Sequence, residues 1–144
     1  FIEYMDVGNH NCWREEDVFS ADRILSVLSN EFSLVSVSPS YRGEVARRYR
    51  ERGSEWEIGL ISSVTQPFCG DCGRLRLTAD GKLFGCLFSI RGYQVKDVLR
   101  SGSGKESLRR VFSDFWSGRE DRYSENRLRE QARGDKVEMS YVGG

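Results

Sequence analysis

The sequence predicts a mixed α/β chain built around an antiparallel hairpin with a helix after it. Three observations carry that expectation. Arg74 to Thr78 reads RLRLT, a strict period-2 alternation; the turn signal Ala79-Asp80-Gly81 follows, then a second apolar run from Lys82 to Phe88. Leu108, Val111, Phe112, Phe115 and Trp116 recur at helical spacing. Ser20, a good N-cap, precedes Ile24, Leu25, Val27 and Leu28, which would form one apolar helical face.

The other elements follow in chain order. Phe1 to Met5 is apolar and aromatic and reads as a buried strand. The chain enters it at Phe1 without an initiator Met, as a piece cut from a longer protein would. Asp6 to Trp13, with Gly8, Asn9 and Asn11, reads as a loop. A helix is expected at 21–30, and Leu34 to Val37 alternates as a short strand before Pro39. Gly43 to Arg52 carries Arg47, Arg48, Arg50 and Arg52 and reads as a short basic helix or loop. It is either a solvated face or a wall near an anionic ligand. Trp56 to Ile61 reads as a strand and Val95 to Leu99 as a short helix ended by Gly102 and Gly104. The periodic helix at 105–117 would turn its aromatics into the core. Residues 118–135 are charged and expected at the surface, and Val137 to Val142 alternates as a last strand before Gly143-Gly144.

Composition narrows the function classes. The 144 residues suffice for one domain with a modest core, and 38% hydrophobic with 12% aromatic residues marks a globular chain. Twenty-two basic residues balance 22 acidic ones, so the sequence gives no global electrostatic reason to bind nucleic acid or a membrane surface. No apolar run approaches the roughly 20 residues that span a bilayer, and the opening residues do not read as a signal peptide. A cytoplasmic setting is expected, where clustered cysteines serve as metal ligands or redox groups more often than as disulfides.

Cys69, Cys72 and Cys86 form C-x2-C-x13-C, while Cys12 stands apart in a loop beside His10. A C-x2-C pair sets two thiolates close enough to grip one metal centre. The hairpin must bring the third ligand back. A two-residue Asp80-Gly81 loop would pair Leu75 with Cys86 and turn Cys86 to the wrong face. A three-residue Ala79-Asp80-Gly81 loop with Gly81 left-handed instead pairs Arg74 with Cys86 and Leu77 with Leu83, both leucines inward. That register suits metal and core together. It also puts Arg74 and Arg76 on the Cys72 face, opposite Leu75 and Leu77. Spacing alone leaves two centres open. A structural zinc wants four protein ligands, the fourth being Cys12 or His10 from far away in sequence. A cubane iron–sulfur cluster on three cysteines leaves one iron for a substrate.

The segment GLISSVTQPFCGDCGRLRLTADGKLFGCLF, residues 59–88, closely resembles the GTP 3′,8-cyclase family of radical S-adenosylmethionine enzymes (molybdenum cofactor biosynthesis protein A). So do FIEYMDVGN at 1–9, GEVARRYR at 43–50, FWSGREDRYSE at 115–125 and KVEMSYVGG at 136–144, in family order and across the whole chain. The match corresponds to the family's C-terminal half. It implies the C-terminal part of an incomplete (βα)6 barrel plus an antiparallel extension. Residues 1–38 would be the last barrel strand and helix, and 39–144 the molybdenum cofactor synthesis domain.

The resemblance also implies chemistry. Family members bind two [4Fe-4S] clusters. The N-terminal one, on a C-x3-C-x2-C motif, cleaves S-adenosylmethionine to a radical that abstracts the ribose 3′ hydrogen of GTP. The sugar carbon then attacks guanine C8, giving 3′,8-cyclo-7,8-dihydro-GTP, a lyase reaction. The C-terminal cluster binds GTP. On this likeness Cys69, Cys72 and Cys86 are cluster ligands, Arg74 and Arg76 contact GTP, Gly143 and Gly144 reach the active site, and Met5 borders the S-adenosylmethionine site. No C-x3-C-x2-C occurs in this chain. It is therefore expected to be inert without the missing N-terminal radical half. The flank that half would cover should be apolar and suited to forming a homodimer.

Overall fold

The structure, a computed structural model, describes residues 1–130 and 136–142. The chain is mixed α/β with two small antiparallel sheets and a few helices, and it divides into two compact units. The first unit comprises Phe1–Asp6 and Cys12–Gly73; the second comprises Val7–Asn11 and the described residues from Arg74 onward.

In the first unit a short 3-10 turn, Glu15–Asp17, leads to helix α1, Ala21–Ser29. Ser20 caps it as expected, its hydroxyl accepting from the Arg23 N–H at 3.3 Å. The unit's sheet has the order β1 (Leu34–Val37), β2 (Arg47–Glu51), β3 (Glu57–Leu60). The basic segment expected as a helix or loop is thus the central strand. Gly43, at φ +81°, turns the chain into it. The guanidiniums are then paired from both faces: Arg48 with Glu44 and Glu57 at 2.9 Å each, Arg50 with Glu57, and Arg47 with Asp22 at 2.8 Å. Those partners make a strand of a pentapeptide with three arginines.

The opening segment departs from its expectation more sharply. Only Ile2 makes a bridge, parallel to Ile61. Phe1 and Ile2 are about three-fifths exposed, while Glu3 is buried. The buried side chains of this segment, Glu3 and Asp6, are acids. Hydrogen bonding, not apolar burial, fixes it.

The second unit is built on the hairpin. Strands β4 (Arg76–Leu77), β5 (Lys82–Phe84) and β6 (Tyr93–Gln94) form an antiparallel sheet in that order. Leu77 faces Leu83 and Arg76 faces Phe84, the three-residue-loop register, and Gly81 is left-handed at φ +85°. The ladder stops short of Arg74 and Cys86. Leu83 is fully buried, but Leu77 is 59% exposed and Leu75 is also exposed, so the leucine face of β4 does not point into the core. Helix α2 is Lys96–Arg100, and helix α3, Gly104–Ser117, follows the expected periodicity. No α3 side chain is fully buried; Phe112 and Phe115 are half-covered and Trp116 is exposed.

A four-residue helix α4, Arg127–Glu130, lies in the stretch expected at the surface, and Arg127 is buried there. Residues 139–142 form turns and no last strand. Asn9 ties the 7–11 loop to this unit, donating to the Lys136 carbonyl and accepting from its N–H, both at 2.7 Å. The buried apolar side chains among the described residues are Ala21 and Leu60 in the first unit and Leu83, Phe84, Val95 and Val142 in the second.

Candidate functional site

Cys69 opens a 3-10 turn, Cys69–Asp71, and Cys72 closes it, its N–H 3.4 Å from the Cys69 carbonyl. Both are half-buried cysteines of the first unit. The turn is held from two sides. Asp71 lies 3.4 Å from Arg42, and Gly43 packs so closely that a Cβ there would come within 2.6 Å of the Asp71 carbonyl oxygen.

Upstream, the loop at 62–68 is anchored by Glu3. Its carboxylate accepts from the backbone N–H of Ala21 at 2.8 Å, Val64 at 2.9 Å and Thr65 at 2.8 Å, and from the Thr65 hydroxyl at 2.5 Å. Burial pushes this carboxyl up, but the four hydrogen bonds outweigh it and hold Glu3 below its ordinary value. Glu3 therefore stays ionised and ties the N-terminus of α1 to the loop that leads to Cys69. Sequence reasoning passed over it as part of an apolar run. The signal was the carboxylate itself, since an acid inside such a run needs donors.

Cys86 belongs to the second unit, half-buried just past β5, and its Sγ accepts from the Phe88 N–H at 3.5 Å. It lines a cavity of about 700 Å³ together with Phe88, Arg91, Arg119, Tyr123 and Lys136. Phe88 and Tyr123 stack at 4.3 Å, and the Lys136 ammonium stands 5.6 Å from the Tyr123 ring. Burial, and then the nearby Arg127, holds Lys136 below the ordinary lysine value. Neither expected GTP contact, Arg74 or Arg76, lines this cavity. Arg74 is exposed; Arg76 is half-buried on β4 and donates to the Val142 carbonyl at 3.4 Å. Met5 is half-buried in the first unit. Gly143 and Gly144 lie outside the described residues. Cys12 and His10 are exposed.

Two of the three expected ligands thus sit in one unit and the third in the other. Among the described residues, no group of three His, Cys, Asp or Glu is drawn together to hold a metal ion. The donor set itself fits an iron–sulfur cluster: three cysteines, none deeply buried, two of them on one tight turn.

The sequence profile described as Molybdenum Cofactor Synthesis C matches residues 1–125. The chain belongs to that family. Over its full length it is 45% identical to the "GTP 3′,8-cyclase" of Staphylococcus carnosus and 42% identical to that of Staphylococcus epidermidis, each over 148 aligned residues. The protein of the same name from Acidothermus cellulolyticus is 42% identical over 169. The chain spans 44–47% of the length of these relatives, and the match falls in their C-terminal part. As a family member the chain is placed in molybdenum cofactor synthesis. No helix among the described residues is long and apolar enough to cross a membrane.

Proposed function

We propose that this chain is the substrate-side part of a cytoplasmic GTP 3′,8-cyclase, acting on GTP together with a radical-generating N-terminal part. The likeness of the entire chain to relatives bearing that name carries the reading. The half-buried cysteines on the Cys69–Asp71 turn and past β5, and the hairpin register that pairs Arg76 with Phe84 and Leu77 with Leu83, support it.

In this reading Cys69, Cys72 and Cys86 hold a [4Fe-4S] cluster. When bound, such a cluster on three thiolates offers one iron to a substrate ligand. Arg74 and Arg76 supply permanently charged N–H forks to GTP acceptors. Met5 borders the S-adenosylmethionine site, and Gly143 and Gly144 complete the pocket. Residues 1–38 are the last strand and helix of a partial barrel, and 39–144 form the cofactor-synthesis domain. A second cluster and S-adenosylmethionine belong to the N-terminal part. Apolar surface such as Leu75 and Leu77 suits that part or a second copy of the chain.

The test is anaerobic reconstitution of the full chain with iron and sulfide, followed by GTP titration. The expected result is a broad visible absorption band, about four irons per chain, and saturable GTP binding. Cys69→Ser, Cys72→Ser and Cys86→Ser should each remove the band. Colourless protein holding one zinc would replace this reading with a structural metal module. Protein that takes up neither metal would make the chain a remnant.

A further inference from the structure

The second unit contains a charged cluster that the proposed chemistry does not use. The Tyr141 hydroxyl donates to Asp80 Oδ2 at 2.8 Å, and Lys82 Nζ donates to that hydroxyl at 3.0 Å. The Thr78 hydroxyl donates to Asp80 Oδ1 at 2.6 Å, and Lys82 Nζ stands 3.4 Å from Asp80. Thr78 and Asp80 lie in the β4–β5 turn and Lys82 opens β5, so Tyr141 is tied to the hairpin tip. Its ring also meets Phe84 edge-on, with centroids 6.3 Å apart and planes at 85°.

The neighbouring residue gives this cluster a consequence. Val142 is buried, and its carbonyl accepts from Arg76 at 3.4 Å. Arg76 lies directly across the ladder from Phe84. The segment is itself wound tightly, with Tyr141 N–H on the Glu138 carbonyl at 3.0 Å and Val142 N–H on the Met139 carbonyl at 3.2 Å. Fixing the Tyr141 hydroxyl thus fixes the next carbonyl, and that carbonyl orients a guanidinium. Hydrogen bonds from Thr78, then Tyr141, pull the Asp80 carboxyl down to about 2, so the anchor keeps its charge across the physiological range.

We propose that Tyr141 is a positioning residue: latched to Asp80 and Lys82, it holds the Val142 carbonyl against Arg76 and so sets that arginine for an anionic nucleotide. The inference rests on the reading of Arg76 as a nucleotide contact. Pinning the tail for stability alone would also produce the cluster, so the experiment separates the two.

GTP affinity of the full chain, reconstituted with iron and sulfide, is measured by calorimetry beside the thermal midpoint. The variants are Arg76→Ala, Tyr141→Phe, their double variant, Asp80→Ala and Asp80→Asn. Tyr141→Phe keeps the ring on Phe84 and loses only the hydroxyl. It should weaken GTP binding about three- to tenfold with little change in midpoint. The double variant should bind no worse than Arg76→Ala alone. Asp80→Asn, which retains an acceptor oxygen, should recover most of what Asp80→Ala loses.

Loss in Arg76→Ala beside unchanged affinity in Tyr141→Phe overturns the latch and leaves the nucleotide reading standing. Additive losses also overturn it, because Tyr141 would then act independently of Arg76. Unchanged affinity in Arg76→Ala removes the nucleotide reading of that arginine and the latch with it. If Tyr141→Phe melts early, the comparison of Asp80→Asn with Asp80→Ala decides.

Discussion

Glu3 shows how one side chain can organise a segment. It is 2% exposed and accepts four hydrogen bonds, three from backbone N–H groups. Glu3→Gln turns an amide –NH2 toward N–H donors and should lower stability by about 2–3 kcal/mol in urea unfolding. Because folding lowers the Glu3 pKa from its ordinary 4.5, its contribution is complete above that value. It should disappear as the pH falls below 4.5 through the folded value, and Glu3→Gln should flatten that part of the stability–pH curve. Glycine supplies a second residue-scale test. Gly43 and Gly53 share φ near +80°, but only Gly43 has a backbone neighbour where a Cβ would go, the Asp71 carbonyl. Both Gly→Ala changes should cost about 1–2 kcal/mol of left-handed strain. Gly43→Ala alone should also displace the Cys69–Asp71 turn and lower iron content after reconstitution, measured beside Gly53→Ala as the control.

At the scale of elements, the hairpin and two helices were legible because their signals are local. Ser20 caps α1 through its own hydroxyl, and Gly81 turns the hairpin through its own φ. Ser20→Ala should therefore destabilise the chain by about 1 kcal/mol, read as a shift in urea midpoint at constant slope. β2 was not legible. RRYRE becomes a central strand only when Glu44, Glu57 and Asp22, from before it, from β3 and from α1, come to its arginines. The last strand failed for the converse reason. Val137 to Val142 alternates in sequence, but its backbone closes turns on itself at 138–142 and its Tyr141 side chain serves the hairpin.

On the scale of the whole molecule, the three cysteines are divided between two compact units. The cysteines of the chain are Cys12, Cys69, Cys72 and Cys86, and none forms part of a C-x3-C-x2-C motif. On the proposed reading the reconstituted chain, given S-adenosylmethionine and a reductant, should release no 5′-deoxyadenosine above a protein-free blank. Product detected by chromatography would mean that the substrate-side cluster makes the radical itself.

The sequence by itself determined the family, the cysteine spacing, the hairpin register and the capped helix. Each is written in contiguous residues whose periodicity or turn chemistry acts over a few positions. Only the tertiary structure decided that Glu3 is a buried anchor, that the arginine run is a strand, that Gly43 supports the cysteine turn and that Tyr141 is latched to Asp80. Each of these joins residues far apart in sequence: Glu3 meets Thr65, and Tyr141 meets Asp80. A hydrogen bond or ion pair between distant residues leaves no periodic trace. It depends on the fold bringing donor and acceptor within about 3 Å of each other.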